Sequence, residues 1–221
     1  MIIAIDGPAG CGKSTLAKAL AKKLGILYID TGATYRAAAL AAKMHGIDET
    51  RPEEVAELTE RSKIELCGEP DNLRVLLDGK DVSDEIRTPE VSDLASRIST
   101  LPRVRRALVN LQRRIAEGRD AVLEGRDTGS VVFPDAELKI YLDASGEERA
   151  KRRADDWEDT IDLEKIEAEI TRRDERDTTR ADSPLTIADG AVIIDSTVKA
   201  PEEVLGRVLE ELRSRGLLPD S

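Results

Sequence analysis

The stretch "DGPAGCGKST", Asp6 to Thr15, follows an apolar run, Met1 to Ile5, and precedes leucines that recur every four residues. An apolar run, a glycine-rich turn and leucines at helical spacing predict a buried strand, a loop and a helix in direct succession. In that context the pattern G-x-x-x-x-G-K-[ST] is matched by Gly7, Gly12, Lys13 and Ser14. The stretch therefore predicts a loop that binds phosphate groups between the first strand and the first helix.

The chemistry of such a loop explains its residue types. Glycines allow consecutive backbone N–H groups to turn inward around a polyphosphate, and the following helix presents its positive N-terminal end. Lys13 can bridge the β- and γ-phosphates, and Ser14 can offer its hydroxyl to Mg²⁺. An ordinary glycine-rich turn with a surface lysine is the alternative, but position and context favour the polyphosphate site.

Length and charge restrict the class of protein. A chain of 221 residues can bury a full core, and one domain with insertions is favoured over two independent domains. The net charge of -11 disfavours a protein that coats DNA or RNA, because nonspecific binding requires a basic surface. The aromatic residues are too scattered for single strands to stack on them: Tyr28, Tyr35, Phe133, Tyr141 and Trp157. We therefore expect no nucleic acid partner.

Hydropathy and cysteine usage indicate the cellular setting. No apolar run approaches the length of a membrane span and no basic segment precedes the apolar start, so we expect a cytoplasmic protein without a membrane partner. The two cysteines match no metal-site spacing, and we expect reduced thiols. At Cys11, a small packing residue is favoured over a redox role. His45 is the only histidine, which argues against a histidine triad or a histidine-rich metal site.

The rest of the chain alternates buried strands with helices. Strands are predicted at "ILYID", "AVLEGRD", "ELKIYLD" and "AVIIDS", and helices at 31–42, 52–62, 89–100, 102–117, 146–158, 163–179 and 201–215. This alternation predicts an α/β fold whose parallel sheet is covered on both faces and binds ligands at the carboxyl ends of its strands. Between about Ser62 and Val82, short β-like runs around Asp78-Gly79 predict a hairpin inserted into the pattern.

Polar clusters follow two of the predicted strands. Asp30, Thr31 and Arg36 follow the second strand and can face one crevice. As structure alone, Thr31 could be a helix cap and Arg36 a surface charge. In "EGRDTG", directly after a later strand, Glu124 can polarise water around Mg²⁺, while Arg126 and Asp127 point toward the cleft. A polar turn would look similar, but this segment is unusually charged for one.

Two predicted helices are rich in arginine. One face of the first is formed by Arg149, Arg152 and Arg153, which have i, i+3, i+4 spacing. Arg173, Asp177 and Arg180 likewise share one face of the second helix. A solvated, salt-bridged surface is the usual role of such charge runs. A site for phosphoryl transfer, however, requires mobile cations that arrive when both substrates are bound.

Several segments occur in a fixed order along nearly the whole chain: "GPAGCGKST", "DTGATYR", "EIRTPEV", "LPRVR", "EGRDTGSVVFPDA" and "RRDERDTTR". Together they resemble the bacterial cytidylate kinases, and the ordered set is highly specific. The resemblance implies a P-loop kinase core with a central parallel sheet flanked by helices, as a single domain over residues 1–221. It also implies an inserted, strand-containing monophosphate-binding lobe at about 33–101 and a helical lid at about 149–180.

The resemblance implies ATP-dependent phosphorylation of CMP and dCMP to CDP and dCDP with Mg²⁺. The implied ATP-binding residues are Gly7, Pro8, Ala9, Gly10, Cys11, Gly12, Lys13, Ser14 and Thr15. Ser14 would bind Mg²⁺, and Glu124 would reach it through water. Family members often carry Gly-Lys-Gly-Thr where this chain has Gly-Lys-Ser-Thr, and an aspartate where Glu124 stands. The longer side chain of Glu124 changes the reach toward the metal.

An acceptor site is implied by the same resemblance. Arg36 and Arg126 would hold the CMP phosphate. The implied CMP-binding residues are Thr31, Tyr35, Arg36, Ser96, Arg105, Arg126, Asp127, Arg173 and Asp177, of which Ser96, Arg105 and Asp127 would bind the cytosine. The implied catalytic residues are Lys13, Arg126, Arg149, Arg153 and Arg180. Because a carboxylate beside an arginine suits cytosine better than uracil, UMP should be a poorer substrate.

Other functions remain open from the residues alone. A kinase for another nucleoside monophosphate, such as UMP or AMP, would use the same scaffold and differ in acceptor preference. A GTPase-like switch would normally carry an N-K-x-D motif, which this chain lacks. A binding module without turnover is disfavoured by the intact Lys13 and Ser14. We expect a monomer.

Overall fold

The computed structural model of the chain describes residues 1–155 and 163–219. Within these ranges the strands are β1 (Ile2–Asp6), β2 (Leu27–Asp30), β3 (Ile64–Cys67), β4 (Arg74–Leu77), β5 (Lys80–Asp81), β6 (Ala121–Gly125), β7 (Leu138–Asp143) and β8 (Val192–Asp195). The α-helices are α1 (Lys13–Leu24), α2 (Thr31–Met44), α3 (Pro52–Arg61), α4 (Pro89–Ile98), α5 (Pro102–Ala116), α6 (Gly146–Asp155), α7 (Leu163–Thr179) and α8 (Pro201–Ser214). A π-helical turn at Thr128–Val132 follows β6.

Five strands form a parallel sheet in the order β2-β6-β1-β7-β8. Adjacent residues of a strand point to opposite faces, and both faces of this sheet are covered. Val122 belongs to a hydrophobic cluster with α1 and α8, whereas its neighbour Leu123 belongs to a cluster with α5. Burial on both faces explains the continuous apolar runs of the strands. The predicted α/β fold with a central parallel sheet is confirmed.

A small antiparallel sheet, in the order β3-β4-β5, interrupts the alternating pattern. Asp78 and Gly79 connect β4 to β5 with φ values of 51° and 82°, as the hairpin signal predicts. Buried residues of β3 and β4, among them Ile64 and Val75, pack with α2 to α5 in a third hydrophobic cluster. The segment between β2 and β6 therefore builds a core of its own beside the main sheet.

The predicted bounds of α2 to α5, α7 and α8 agree with the structure to within two residues. The helix predicted at 146–158 is α6 as far as Asp155, and its remaining residues, with Trp157, lie outside the described ranges. Part of the predicted lid, 156–162, lies outside them too. Over residues 1–155 and 163–219, each helix is too short or too polar to cross a bilayer.

Gly7 connects β1 to the loop where no side chain fits. Its φ is 152°, and a Cβ atom there would lie 2.0 Å from the backbone oxygen of Leu142 in β7. We expect Gly7→Ala to lower the free energy of unfolding by about 2 kcal/mol or more, because β7 must shift. Urea denaturation followed by circular dichroism measures this change.

Gly206→Ala in α8 is the matched control. A Cβ atom there has no neighbour within 4 Å, so the substitution should stabilise the helix by about 0.5–1 kcal/mol. Equal unfolding midpoints for wild type and Gly7→Ala would contradict the close approach of Gly7 to Leu142.

Candidate active site

A cavity of about 780 Å³ opens beside the carboxyl ends of the central strands. Its cationic lining residues are Lys13, Lys18, Arg36, Arg87, Arg105, Arg126, Arg152, Arg153, Arg173 and Arg180. Its acidic lining residues are Asp30, Glu124, Asp127, Glu169 and Asp177. Cations outnumber carboxylates here although the whole chain has a net charge of -11. The cavity therefore favours an anionic ligand.

Most of the predicted site residues meet in this cavity. Beyond the charged residues already named, it is lined by Ala9, Gly10, Gly12, Ser14, Thr15, Thr31, Tyr35 and Ser96. The lining does not include Gly7, Pro8, Cys11 and Arg149, in the part of the chain that the structure describes. Cys11 is fully buried in the cluster under the main sheet, in agreement with a packing role.

The P-loop, residues 7–15, leaves the N-terminus of α1 free to bind an anion. Gly12 precedes α1 with a φ of 93°, and no side chain caps the first turn of this helix. The first N–H groups of a helix carry partial positive charge and suit phosphate oxygens. Lys13 Nζ lies in the same loop and donates to the carbonyl oxygen of Pro8 at 2.5 Å. Burial, assisted by Arg126, lowers the pKa of Lys13.

Ser14 and Glu124 form a pair of oxygen donors beside the loop. Ser14 Oγ donates to Glu124 Oε2 at 2.9 Å, and Tyr28 donates to the other carboxylate oxygen at 2.5 Å. Burial and the nearby Asp30 raise the pKa of Glu124. Despite its length, Glu124 thus meets the predicted metal ligand Ser14, because Tyr28 holds its carboxylate from the far side. Hydroxyl and carboxylate oxygens are suitable ligands for Mg²⁺ or its bound water.

The end of β2 orders the start of α2. Asp30 accepts from the N–H of Ala33 at 2.8 Å and from Arg36 Nη2 at 2.7 Å. Burial would raise the pKa of Asp30, but Arg36 and this N–H outweigh it and hold the pKa below its ordinary value. The helix cap is therefore Asp30 and not Thr31, whose hydroxyl donates to the carbonyl oxygen of Glu124 at 2.6 Å. Arg36 is paired and only partly exposed, so it is not a free surface charge.

A buried ion pair lies deeper in the cavity. Arg105, from α5, is 2% exposed, and it pairs with Asp127 and donates to the carbonyl oxygen of Ser99 at 3.0 Å. Its guanidinium lies 5.5 Å from the ring centre of Tyr35. Burial would lower the pKa of Arg105, but Tyr35 and Asp127 outweigh it and the net shift is upward. Two of the predicted base-binding residues are thus in direct contact.

A second charged cluster connects the loop after β6 to α7. Arg126 Nε donates to Asp177 Oδ2 at 2.9 Å, and Arg180 Nη1 lies 3.5 Å from the other oxygen of Asp177. Burial, assisted by Arg126, lowers the pKa of Arg173 to about 10. With Arg126, Arg173 and Arg180 close to one another, Asp177 offsets only part of the positive charge. An anionic ligand would supply the remaining negative charge.

Several buried polar atoms around these clusters lack a hydrogen-bond partner within the described residues. They include Tyr35 Oη, Arg105 Nε, Arg173 Nε and Arg180 Nη2. Leaving a buried polar group unpaired costs about 1–3 kcal/mol, so such groups in native proteins call for an explanation. Their concentration at this cavity indicates a polar ligand.

The arginines of α6 divide between two places. Arg152 and Arg153 line the cavity. Arg149 lies behind the P-loop, where it pairs with Asp174 and donates to the carbonyl oxygen of Ala9 at 3.1 Å. Asp174 in turn accepts from the N–H of Ala9 at 3.0 Å, so α6 and α7 both hold the loop. The sequence interpretation assigned no individual role to Arg152, which donates to the carbonyl oxygen of Cys11 at 3.3 Å.

Asp6 is a further residue to which the sequence interpretation assigned no role. Its carboxylate accepts from Thr128 N at 2.8 Å, from Thr128 Oγ1 at 2.7 Å and from Gly129 N at 2.7 Å. Burial raises its pKa in spite of these bonds. Asp6 therefore ties the end of β1 to the turn that carries Asp127. The sequence signal that could have indicated this role is a carboxylate at the end of a predicted buried strand.

The pair of Arg105 and Asp127 generates a test of stability. We expect Asp127→Asn to lower the free energy of unfolding by about 3 kcal/mol, because it leaves Arg105 buried without a counter-charge. The control is Arg105→Met combined with Asp127→Leu, which removes both charges and should recover part of the loss. The remainder reflects Arg180, whose Nη2 lies 3.6 Å from Asp127 Oδ1. Urea denaturation at neutral pH measures all variants, and a loss below about 1 kcal/mol for Asp127→Asn would contradict the pair.

Comparisons with known proteins agree with this geometry. The family model for cytidylate kinase matches residues 3–214. A cytidylate kinase of Caldanaerobacter subterraneus subsp. tengcongensis is 50% identical over 214 residues, which are 96% of this chain and 94% of that protein. A cytidylate kinase of Solibacter usitatus is 49% identical over 220 residues, covering 97% of this chain and 93% of that protein.

The crystal structure of a shikimate kinase from Bacteroides thetaiotaomicron has a similar fold, with a TM-score of 0.51 and 14% identity, over 96% of this chain and 98% of that one. This likeness concerns the fold alone. The family model and the two relatives match nearly the whole chain, the relatives at 50% and 49% identity. They show that the chain belongs to the cytidylate kinase family.

Proposed function

We propose that this protein transfers the γ-phosphoryl group of ATP to CMP or dCMP, with Mg²⁺, and forms CDP or dCDP. The observation that carries the proposal is that one cavity holds both the P-loop and the buried pair of Arg105 and Asp127. Cationic side chains from the loop after β6 and from α7 lie between these two ends. Family membership supports a nucleoside monophosphate as the acceptor.

The donor side follows from the P-loop. The uncapped N-terminus of α1 and the backbone of residues 7–15 would bind the phosphates of ATP. Lys13 would lie against the β- and γ-phosphates, and Arg153 would approach from α6. Arg149, through Ala9, would support the loop from behind.

The acceptor side follows from the charged clusters. Arg36 and Arg126 would bind the CMP phosphate, and Arg173 and Asp177 the ribose or phosphate side. The cytosine would contact Ser96, Arg105 and Asp127, and Thr31 and Tyr35 would complete the binding site for CMP. Cytosine has an amino donor at N4 and an acceptor at N3, which match a carboxylate and a guanidinium. Uracil would direct the O4 acceptor toward Asp127, so UMP should be a poorer substrate.

Phosphoryl transfer requires alignment and charge stabilisation more than acid–base chemistry. An oxygen of the acceptor phosphate forms a bond to the γ-phosphorus while the bond to the β–γ bridging oxygen breaks, and ADP leaves. The acceptor phosphate is largely ionised at neutral pH, since its second pKa is near 6, and needs no general base. Lys13, Arg126 and Arg180 would stabilise the charge that develops on the transferred group.

The residues beside the P-loop fit a magnesium ion. Ser14 Oγ and Glu124 Oε2 are 2.9 Å apart at the cavity wall. Within the described residues, no three His, Cys, Asp or Glu side chains form a metal cage. Mg²⁺ usually keeps several waters and binds one or two protein oxygens together with substrate phosphates. Ser14 would bind the ion directly and Glu124 through water, and the ion would supply charge neutralisation between the phosphates.

Further parts of the proposal concern organisation and setting. We propose that residues 33–101 form the lobe that binds the monophosphate and that residues 149–180 act as a lid. The separate hydrophobic cluster of α2 to α5 supports the first assignment, and the contacts of α6 and α7 with the P-loop support the second. That the enzyme is monomeric and cytoplasmic, and that it has no nucleic acid or membrane partner, stays a prediction.

Acceptor preference tests the proposed reaction. We expect ADP formation from Mg-ATP to be fastest with CMP or dCMP and slower with UMP, AMP and GMP in a coupled assay. Lys13→Ala should lower kcat by about 100-fold or more, because a buried cation against the phosphates is lost. Lys22→Ala, at an exposed position of the same helix, should leave turnover unchanged. Faster turnover with another monophosphate would overturn the assignment of the cytosine-binding residues. Hydrolysis of ATP at a rate independent of any acceptor would overturn the proposed kinase activity.

Removal of metal tests the role of Ser14 and Glu124. We expect EDTA to abolish turnover and added Mg²⁺ to restore it. In a Mg²⁺ titration, Ser14→Ala and Glu124→Gln should raise the half-saturating concentration by about 10-fold or more, because a ligand or its hydrogen-bonded partner is changed. Direct Mn²⁺ binding in the presence of ADP, followed by electron paramagnetic resonance, provides a readout besides activity. Unchanged titrations in both variants would contradict these roles.

A further inference from the structure

Arg176 connects helix α7 to helix α4. Its Nη1 donates to Asp93 Oδ1 at 2.9 Å and lies 3.3 Å from Ser96 Oγ, to which it also donates. A terminal guanidinium nitrogen carries two N–H groups, so one nitrogen can serve both acceptors. A single side chain of α7 thus holds two residues of α4.

The position of Arg176 relative to the cavity is informative. Ser96 lines the large cavity and also a small cleft of about 20 Å³ between α4 and α7. Arg176 lines the small cleft but, in the part of the chain that the structure describes, not the large cavity. It therefore contacts Ser96 from the side of the small cleft.

The hydrogen bond from Arg176 determines what Ser96 can offer to a ligand. Ser96 is 5% exposed, and its Oγ uses one lone pair to accept from the guanidinium. The hydroxyl hydrogen and the second lone pair are left for the cavity. A hydrogen bond from a charged donor is stronger than a neutral one, so it restricts the rotation of the hydroxyl group. The ion pair with Asp93 keeps the guanidinium in place.

Helix α7 carries the other side of the site. Arg173 and Asp177 lie within one turn of Arg176 on this helix, and both line the large cavity beside Arg126 and Arg180. Ser96 belongs to the side at which the base would bind. The contact of Arg176 with Asp93 and Ser96 therefore joins the two sides of the acceptor site.

We propose that Arg176 is a positioning residue for base recognition, which acts by holding the hydroxyl group of Ser96 toward the cavity, while its ion pair with Asp93 anchors the guanidinium. This inference rests on the proposed function, in which Ser96 contacts the cytosine. Arg176 itself touches neither substrate. Its effect should appear in acceptor binding and not in donor binding.

Steady-state kinetics with CMP and ATP varied in turn tests the inference. We expect Arg176→Ala to raise KM for CMP about 5-fold to 20-fold, because a buried hydroxyl loses a charged hydrogen-bond partner. KM for ATP should stay within about 2-fold, since Arg176 lies away from the P-loop. Arg176→Lys keeps the charge and should give an intermediate KM. Lys165→Ala, which removes an exposed cation of α7 that lines neither the cleft nor the cavity, is the matched control and should behave as wild type.

A double-mutant cycle separates positioning from a general structural role. In a Ser96→Ala background, Arg176→Ala should change KM for CMP by no more than about 2-fold, because its target is already absent. Arg176→Gln, which keeps much of the side-chain length, replaces Arg176→Ala if that variant fails to fold. A full effect in the Ser96→Ala background, an equal rise in KM for both substrates, or an unchanged KM for CMP would overturn the inference. Absence of CMP turnover in the wild type would instead overturn the proposed function.

Discussion

The carboxylate of Asp6 links the two loops from which the site is built. It stands at the end of the central strand, directly before the P-loop, and accepts three hydrogen bonds from the turn that follows β6. Arg126 and Asp127 lie between β6 and this turn. One buried side chain therefore contacts the turn beside Asp127 and also lies next to the P-loop. Parallel pairing of β1 with β6 brings these loops together, and Asp6 then restricts their relative position. Alignment of two substrates depends on such restriction.

Around this frame the lining of the cavity carries more positive charge than its carboxylates neutralise. Arg105 and Asp127 compensate each other, and Asp177 offsets part of the charge of Arg126, Arg173 and Arg180. The remaining cations and the unpaired polar atoms cost free energy in the protein alone. An anionic ligand that pairs with them would recover that cost, which gives the cavity both affinity and selectivity for phosphate-bearing molecules. The positive charge of the cavity lining therefore contrasts with the net charge of -11 of the whole chain.

Local signals in the chain were sufficient for most of the fold, whereas Tyr35, Ser96 and Arg105 entered the predicted site only through the resemblance to a family. The P-loop, the alternation of strands and helices, and the hairpin at Asp78-Gly79 are each encoded within a few neighbouring residues. Helix bounds followed from proline and from apolar periodicity for the same reason. The alternative that Thr31 caps α2 is not what the structure shows, because the neighbouring Asp30 accepts from the N–H of Ala33 and Thr31 donates to the backbone of β6.

Partners across the site required the folded chain. Glu124 meets Ser14 across 110 positions, and Arg105 meets Asp127 across 22. The supporting contacts of Tyr28 with Glu124, of Arg149 with Ala9 and of Arg176 with Ser96 are likewise remote along the chain. Residue type indicates that such groups need a partner, but which partner they find depends on how helices pack over the strand ends. That packing is a collective result of burial over the whole chain, and no short pattern encodes it.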